Sequence, residues 1–176
     1  MDSRIRTIAR VAVFAALVFV FSYFSVLIPN VNPSFFIVFA AGFIWGIWSG
    51  CGVGIIGFLL WSNLNPSGPA PFPVMISQLI GISFTAVTGV LAAKVIGMSD
   101  SRAKTAFVLS LSGLTSGLIY VVIVGVVDAY IFQPFWPRLI GGALFSLITI
   151  ISNSIIFPIL WPALVFLMKR EKSATG

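Results

Sequence analysis

The chain has 176 residues, of which 59% are hydrophobic and 8% charged, with a formal net charge of +6 and a mean hydropathy of +1.13. Soluble domains carry about 25% charged residues, so these few charges exclude a water-facing surface and place the apolar surface in lipid. The basic balance does not point to nucleic acid, because the charges sit in a few clusters between apolar runs, as loops of a membrane protein do.

The chain opens with Arg4, Arg6 and Arg10, and then carries no charge from Val11 to Ala93. The apolar run from Val11 to Ile28 is too long for a signal-peptide core and has no small-residue cleavage site before Pro29, so it reads as a retained span. Pro29-Asn30-Val31-Asn32-Pro33 is a turn. Asn63 to Pro73 is a proline-rich loop that cannot continue a helix. Between them, Ser34 to Ser62 divides into two short helices if Ser49-Gly50-Cys51-Gly52 makes a tight turn. Two further charge-free runs, Thr105 to Val127 and Leu139 to Met168, each fit one helix.

Positive residues favour the cytoplasmic side, and this decides the count. With four helices before Lys94, the N-terminal arginines, the Lys94/Arg102/Lys104 cluster and the Lys169/Arg170/Lys172 cluster all fall inside, and only Arg138 is outside. With three helices, the Lys94 cluster and the C-terminus fall on opposite sides. The sequence therefore predicts an all-α integral membrane protein, a six-transmembrane-helix bundle with both termini cytoplasmic. The expected spans are about 8–28, 35–48, 51–62, 73–95, 105–127 and 138–167, in one membrane domain covering 1–176. Pro158 and Pro162 predict a kink or an early end in the last span.

This topology sorts the polar groups. Asn30, Asn32, Asn63, Asn65, Asp128, Tyr130, Gln133, Trp136 and Arg138 fall in the outer loops. Ser22, Tyr23, Trp61, Ser77, Gln78 and Tyr120 lie just inside the membrane from that side. The inner half holds mainly small residues, with Asn153 the main exception. Polar groups in a membrane face the bundle interior or water, and a small-molecule pocket needs apolar walls with a few placed donors and acceptors. The candidate ligand-binding residues are therefore Tyr23, Asn30, Asn32, Trp61, Asn63, Asn65, Gln78, Tyr120, Asp128, Trp136 and Arg138. Each has a plainer alternative. Trp and Tyr also anchor helices at the interface, Asn beside Pro serves turns, and Gln78 either meets ligand or ties two helices together. Asp128 and Arg138 either pair with each other, or Arg138 meets a ligand carboxylate. Ala9, Ala12 and Ala16 share one face of the first helix, where small residues admit a second helix closely.

Several function classes lack their tools. There is no histidine and one cysteine, Cys51, so no zinc or haem site of the usual kind, no internal disulfide and no metal or other cofactor is expected. The four acids, Asp2, Asp100, Asp128 and Glu171, provide neither a catalytic carboxylate pair nor the midplane acids of an ion-coupled carrier. No phosphate-binding loop of the Gly-x-x-x-x-Gly-Lys-Ser/Thr type is present. The chain is not expected to be an enzyme, and any energy for transport must come from another subunit.

Ala12-Val13-Phe14-Ala15-Ala16 looks like the Ala-x-x-x-Ala signature in the first helix of the substrate-binding S components of energy-coupling factor (ECF) vitamin transporters. The stretch Asn63 to Gln78, with Gly68-Pro69-Ala70-Pro71-Phe72-Pro73, is similar to the loop that caps their outer pocket. Size, six spans, inside termini and basic cytoplasmic ends match over nearly the whole chain. The resemblance implies a binding subunit in the cytoplasmic membrane of a prokaryote, with an outward-facing pocket for a vitamin or precursor. It further implies that Ala12 and Ala16 dock a membrane T component that works with two cytoplasmic ATPases, and that the subunit topples in the bilayer. The competing reading is a stand-alone facilitator or a non-catalytic subunit of another membrane assembly.

Overall fold

The computed structural model describes residues 3–97 and 100–173, and no strand occurs among them. This follows from the solvent: in hydrocarbon every backbone N–H and C=O needs an internal partner, which a helix supplies from its own segment. The helices are α1 (Ser3–Ser22), α2 (Phe24–Leu27), α3 (Ser34–Trp45), α4 (Ile47–Leu64), α5 (Phe72–Val95), α6 (Arg102–Ile131), α7 (Phe135–Gly141), α8 (Ala143–Ile159) and α9 (Trp161–Ser173). Five segments are long and apolar enough to cross a membrane: Arg4–Leu27, Ile47–Leu64, Phe72–Val95, Arg102–Ile131 and Phe135–Ile159. The apolar helix α3 has 12 residues, and at about 1.5 Å per residue it covers only about 18 Å.

Several expected boundaries move. The break expected at Ser49 to Gly52 lies instead at Gly46, and Ser49 to Gly52 is helical within α4. The reason is conformational. Gly46 has φ +85° and ψ −179°, a region that only glycine enters cheaply. Gly50 is needed for packing, since a Cβ there would lie 2.7 Å from the Ala86 Cβ and 2.8 Å from the Gly42 Cα. The third span is accordingly longer than expected, 18 residues in place of 51–62. The first breaks at Tyr23, and the last is divided at Gly142 and at Leu160, between Pro158 and Pro162. The proline signal there was sound: Pro158 closes the last turn of α8, and the chain turns at the next residue but one.

Close backbone approach holds the helices together. A Cβ at Gly89 of α5 would sit 2.3 Å from the Phe39 carbonyl of α3, and one at Gly113 of α6 would sit 2.2 Å from the Asn153 carbonyl of α8. Without a hydrophobic drive between helices in lipid, such contacts supply the packing energy. The aromatic centre of the core fills the space between these crossings: Phe39 and Phe157, both fully buried, lie 4.8 Å apart, and Phe36 lies 5.5 Å from Phe157.

Helices α1 and α9 meet at one end of the bundle. Arg6 and Arg10 of α1 both pair with Glu171 of α9, Arg6 at 3.4 Å. The Arg10 guanidinium also lies 5.4 Å from the centre of the Trp45 ring, next to the Gly46 break. A cavity of about 530 Å³ at this end is lined by Gly97 and Asp100 of the loop before α6, by Arg102 at the start of α6 and by Pro158, Trp161 and Pro162 at the α8–α9 break. In that loop the Gly97 N–H donates to Asp100 at 2.7 Å and Lys104 pairs with the same oxygen at 2.9 Å. Together they hold the Asp100 carboxyl below the usual carboxylate range, the Gly97 bond contributing most. Basic residues of the Arg4, Lys94 and Lys169 groups thus share the terminal end, except Lys172, whose side chain lies outside the described residues.

Candidate functional site

The opposite, distal end carries the polar groups singled out in the sequence. Four of them lie in three contact groups on neighbouring helices. Tyr23, at the α1–α2 break, lies edge-on to Trp61 of α4 with ring centres 5.3 Å apart, and its hydroxyl donates to the Leu64 carbonyl at 3.3 Å. Gln78 of α5 accepts a hydrogen bond from Ser62 of α4 at 2.6 Å. Tyr120 of α6 packs edge-on to Phe35 of α3 at 4.9 Å and to Phe58 of α4 at 5.8 Å. Gly81 lets Tyr120 come close, since a Cβ there would meet its ring at 2.9 Å. Gln78 precedes Gly81 by three residues and so sits one turn further out on the same face of α5.

Tyr23 and Trp61 are partly exposed, whereas Phe35 and Phe58 are buried in the core. Gln78 uses its carbonyl oxygen on Ser62, which leaves its amide nitrogen, a double donor, with no hydrogen-bond partner among the described residues. The same holds for the Tyr120 hydroxyl, a donor and an acceptor. The loop from Asn65 to Pro71 lies above, pinned to α4 by the Ala70 N–H donating to the Ser62 carbonyl at 2.7 Å. Ser62 thus touches both the loop and Gln78.

Three of the asparagines serve turns, and Asn63 bonds back along α4. Asn30 takes φ +63°, the left-handed conformation that asparagine tolerates best after glycine. The Asn32 carbonyl oxygen accepts from the Ser34 N–H at 3.0 Å, and that of Asn65 from the Ser67 N–H at 3.0 Å. Asn63 donates to the Leu59 carbonyl at 2.8 Å. Trp136 is 67% exposed and rests on Phe135. Asp128 and Arg138 pair with each other, at 2.7 Å through Nε and 3.4 Å through the second nitrogen. They line a cavity of about 440 Å³ with Pro137, Gly141, Gly142 and Phe145, none of which belongs to the Gln78 cluster.

Three buried residues near this end were not singled out in the sequence. Phe35 and Phe58 are indistinguishable from other core phenylalanines by type. Ser34 is fully buried, and its hydroxyl has no partner; a serine directly after a proline turn reads as a cap and gives no sign of this.

The alanines lie on the outside of the bundle. Ala9, Ala12 and Ala16 are exposed on α1, whereas Ala15 is buried on the opposite side against α4. There Gly57 makes room for it, since a Cβ at Gly57 would come within 3.0 Å of the Ala15 carbonyl. Among the described residues no group of three or more His, Cys, Asp or Glu side chains could hold a metal ion.

A family model described as "ECF transporter, substrate-specific component" matches residues 6–161. No curated protein and no solved structure matches the chain significantly.

Proposed function

The chain belongs to the substrate-specific components of ECF transporters, and from that premise we propose that it binds a vitamin or vitamin-like precursor at its distal end. Members of this family are substrate-binding subunits of ECF transporters, so this chain acts in transport across a membrane. In our reading the ligand lies against Trp61 and Tyr23, under the loop from Asn65 to Pro71, and is held by the Gln78 amide and the Tyr120 hydroxyl. The observation that carries this is the Gln78–Ser62 pair, which leaves the amide donors of Gln78 unpaired in an apolar helix end. Gln78 is half-buried, and its amide nitrogen is open to a ligand acceptor. Gln78→Ala is expected to weaken binding of the co-purifying small molecule by about tenfold, the effect of about 1.4 kcal/mol. Native mass spectrometry of the purified protein measures the bound fraction, and an unchanged fraction speaks against this site.

The distal end faces outward and the termini lie in the cytoplasm, in six crossings of one membrane domain spanning 1–176. Two facts support this reading. The Glu171 pairs bring the start of α1 and the end of α9 to the same end, which requires an even number of crossings. The basic clusters share that end, as the positive-inside tendency requires. The short α3 crosses with the help of the turn before it and of local thinning of the bilayer. In a Cys51→Ala background, Ser67→Cys is expected to react with a membrane-impermeant maleimide in intact cells, and Ser101→Cys only after permeabilisation. The reverse pattern refutes the orientation.

Family membership implies association with a T component and ATPases. We place the T component on the exposed Ala12/Ala16 face of α1, with two ATPases on its cytoplasmic side and the assembly in the plasma membrane of a prokaryote.

A further inference from the structure

We propose that the ligand of the distal site is uncharged: a flat, hydrogen-bonding aromatic or heterocyclic compound with no carboxylate, phosphate or ammonium group. This rests on the binding-subunit reading above and narrows its substrate class.

The sequence has ten basic and four acidic residues. Among the described residues, Asp128 and Arg138 are the charged pair at the distal end. They neutralise each other through two contacts, and the Arg138 guanidinium also lies 5.2 Å from the centre of the Phe132 ring. An anionic ligand at Arg138 would meet the Asp128 carboxylate beside it, which repels a second negative charge and already neutralises the guanidinium. The Gln78 cluster contains only an amide, hydroxyls, an indole and phenyl rings.

Helix ends supply no substitute charge. A helix N-terminus attracts anions through its free N–H groups, but at α3 they are taken up and at α5 two of the first four are missing. On α3 the Ser34 N–H bonds Asn32 Oδ1, the Phe35 N–H the Asn32 carbonyl and the Phe36 N–H the Pro33 carbonyl. On α5 the helix opens at Pro71 and Pro73, which have no N–H. A ligand enclosed beneath the loop loses its water, and an ionised group there needs an opposite charge. This site offers donors and acceptors only.

The test uses the protein as purified in mild detergent. The small molecule it carries is released by heat and passed over an anion and a cation exchanger at pH 7. The expected result is a compound that flows through both, present at about one per chain. Retention on either exchanger overturns the proposal while leaving the binding-subunit reading intact. Release of no small molecule counts against both. As a second arm, the Asp128→Asn, Arg138→Gln double variant removes both distal charges. It is expected to carry the same compound at an occupancy within about twofold of the parent, and a tenfold loss in protein of unchanged melting temperature also overturns the proposal. Should the double variant fail to fold, the exchanger result alone decides.

Discussion

Replacing Ala12 and Ala16 together by tryptophan is expected to leave ligand binding within about twofold and to lower uptake by more than about tenfold. Both side chains point away from the bundle, so the fold loses no contact. What the bulk removes is the flat strip on α1 along which another helix can approach to backbone distance, the source of packing energy between helices in lipid. A loss of about 1.4 kcal/mol at such an interface already costs tenfold in affinity, and two indoles on adjacent turns exceed that. The neighbouring Ala15 is the control. It is 1% exposed and packs against α4, so Ala15→Trp is expected to abolish folded protein rather than transport alone. Ligand occupancy and uptake, measured side by side on the Ala12/Ala16 variant, separate the two effects; uptake at the parent level refutes the docking face.

Gly113→Val is expected to destabilise the protein by about 3 kcal/mol or more, at the upper end of overpacking costs. A Cβ at this position would lie 2.2 Å from the Asn153 carbonyl oxygen and 2.7 Å from its carbon. Neither atom can move without shifting α8, because both are backbone. For a chain of this length such a loss lowers the melting temperature by about 10 °C, which detergent-based thermal unfolding reads directly. Gly141→Ala is the matched comparison, since a Cβ there meets nothing within 4 Å and its melting temperature is expected to stay within about 2 °C of the parent. Equal behaviour of the two variants contradicts the close crossing of α6 and α8.

The sequence made the membrane class, the helical content and the clustering of charges legible, because all three follow from where charge is absent. The family resemblance carried by Ala12 and Ala16 agrees with the family match over residues 6–161. What composition could not locate was the break between α3 and α4. Several glycines stand between Gly42 and Gly57, and a turn and a close helix contact both call for glycine. The distinction rests on Gly46 having a positive φ while Gly42 and Gly50 face Ala86 across a crossing. The spacing by multiples of four through Gly42, Gly50 and Gly54 was the available signal for packing, and it argues against a turn at Ser49 to Gly52.

The candidate site was legible in part for a similar reason. Residue type found Gln78, Trp61, Tyr23 and Tyr120, which are expensive or oriented at a membrane boundary. Type could not say which asparagines serve turns, because the same amide caps a backbone or meets a ligand. Nor could it pair Ser62 with Gln78, which are separated by a long loop and meet only once α4 and α5 lie antiparallel. The Asp128–Arg138 pair was one of two alternatives in the sequence, and the geometry selects it.

The central claim is that this chain binds the substrate and depends on partners to move it. The most direct measurement is uptake of the co-purifying small molecule, radiolabelled, into vesicles that contain the chain alone or the chain with a T component, two ATPases and ATP. The account predicts accumulation only in the complete assembly, with the chain alone binding the compound but not passing it. Uptake of equal rate and extent by the chain alone contradicts it.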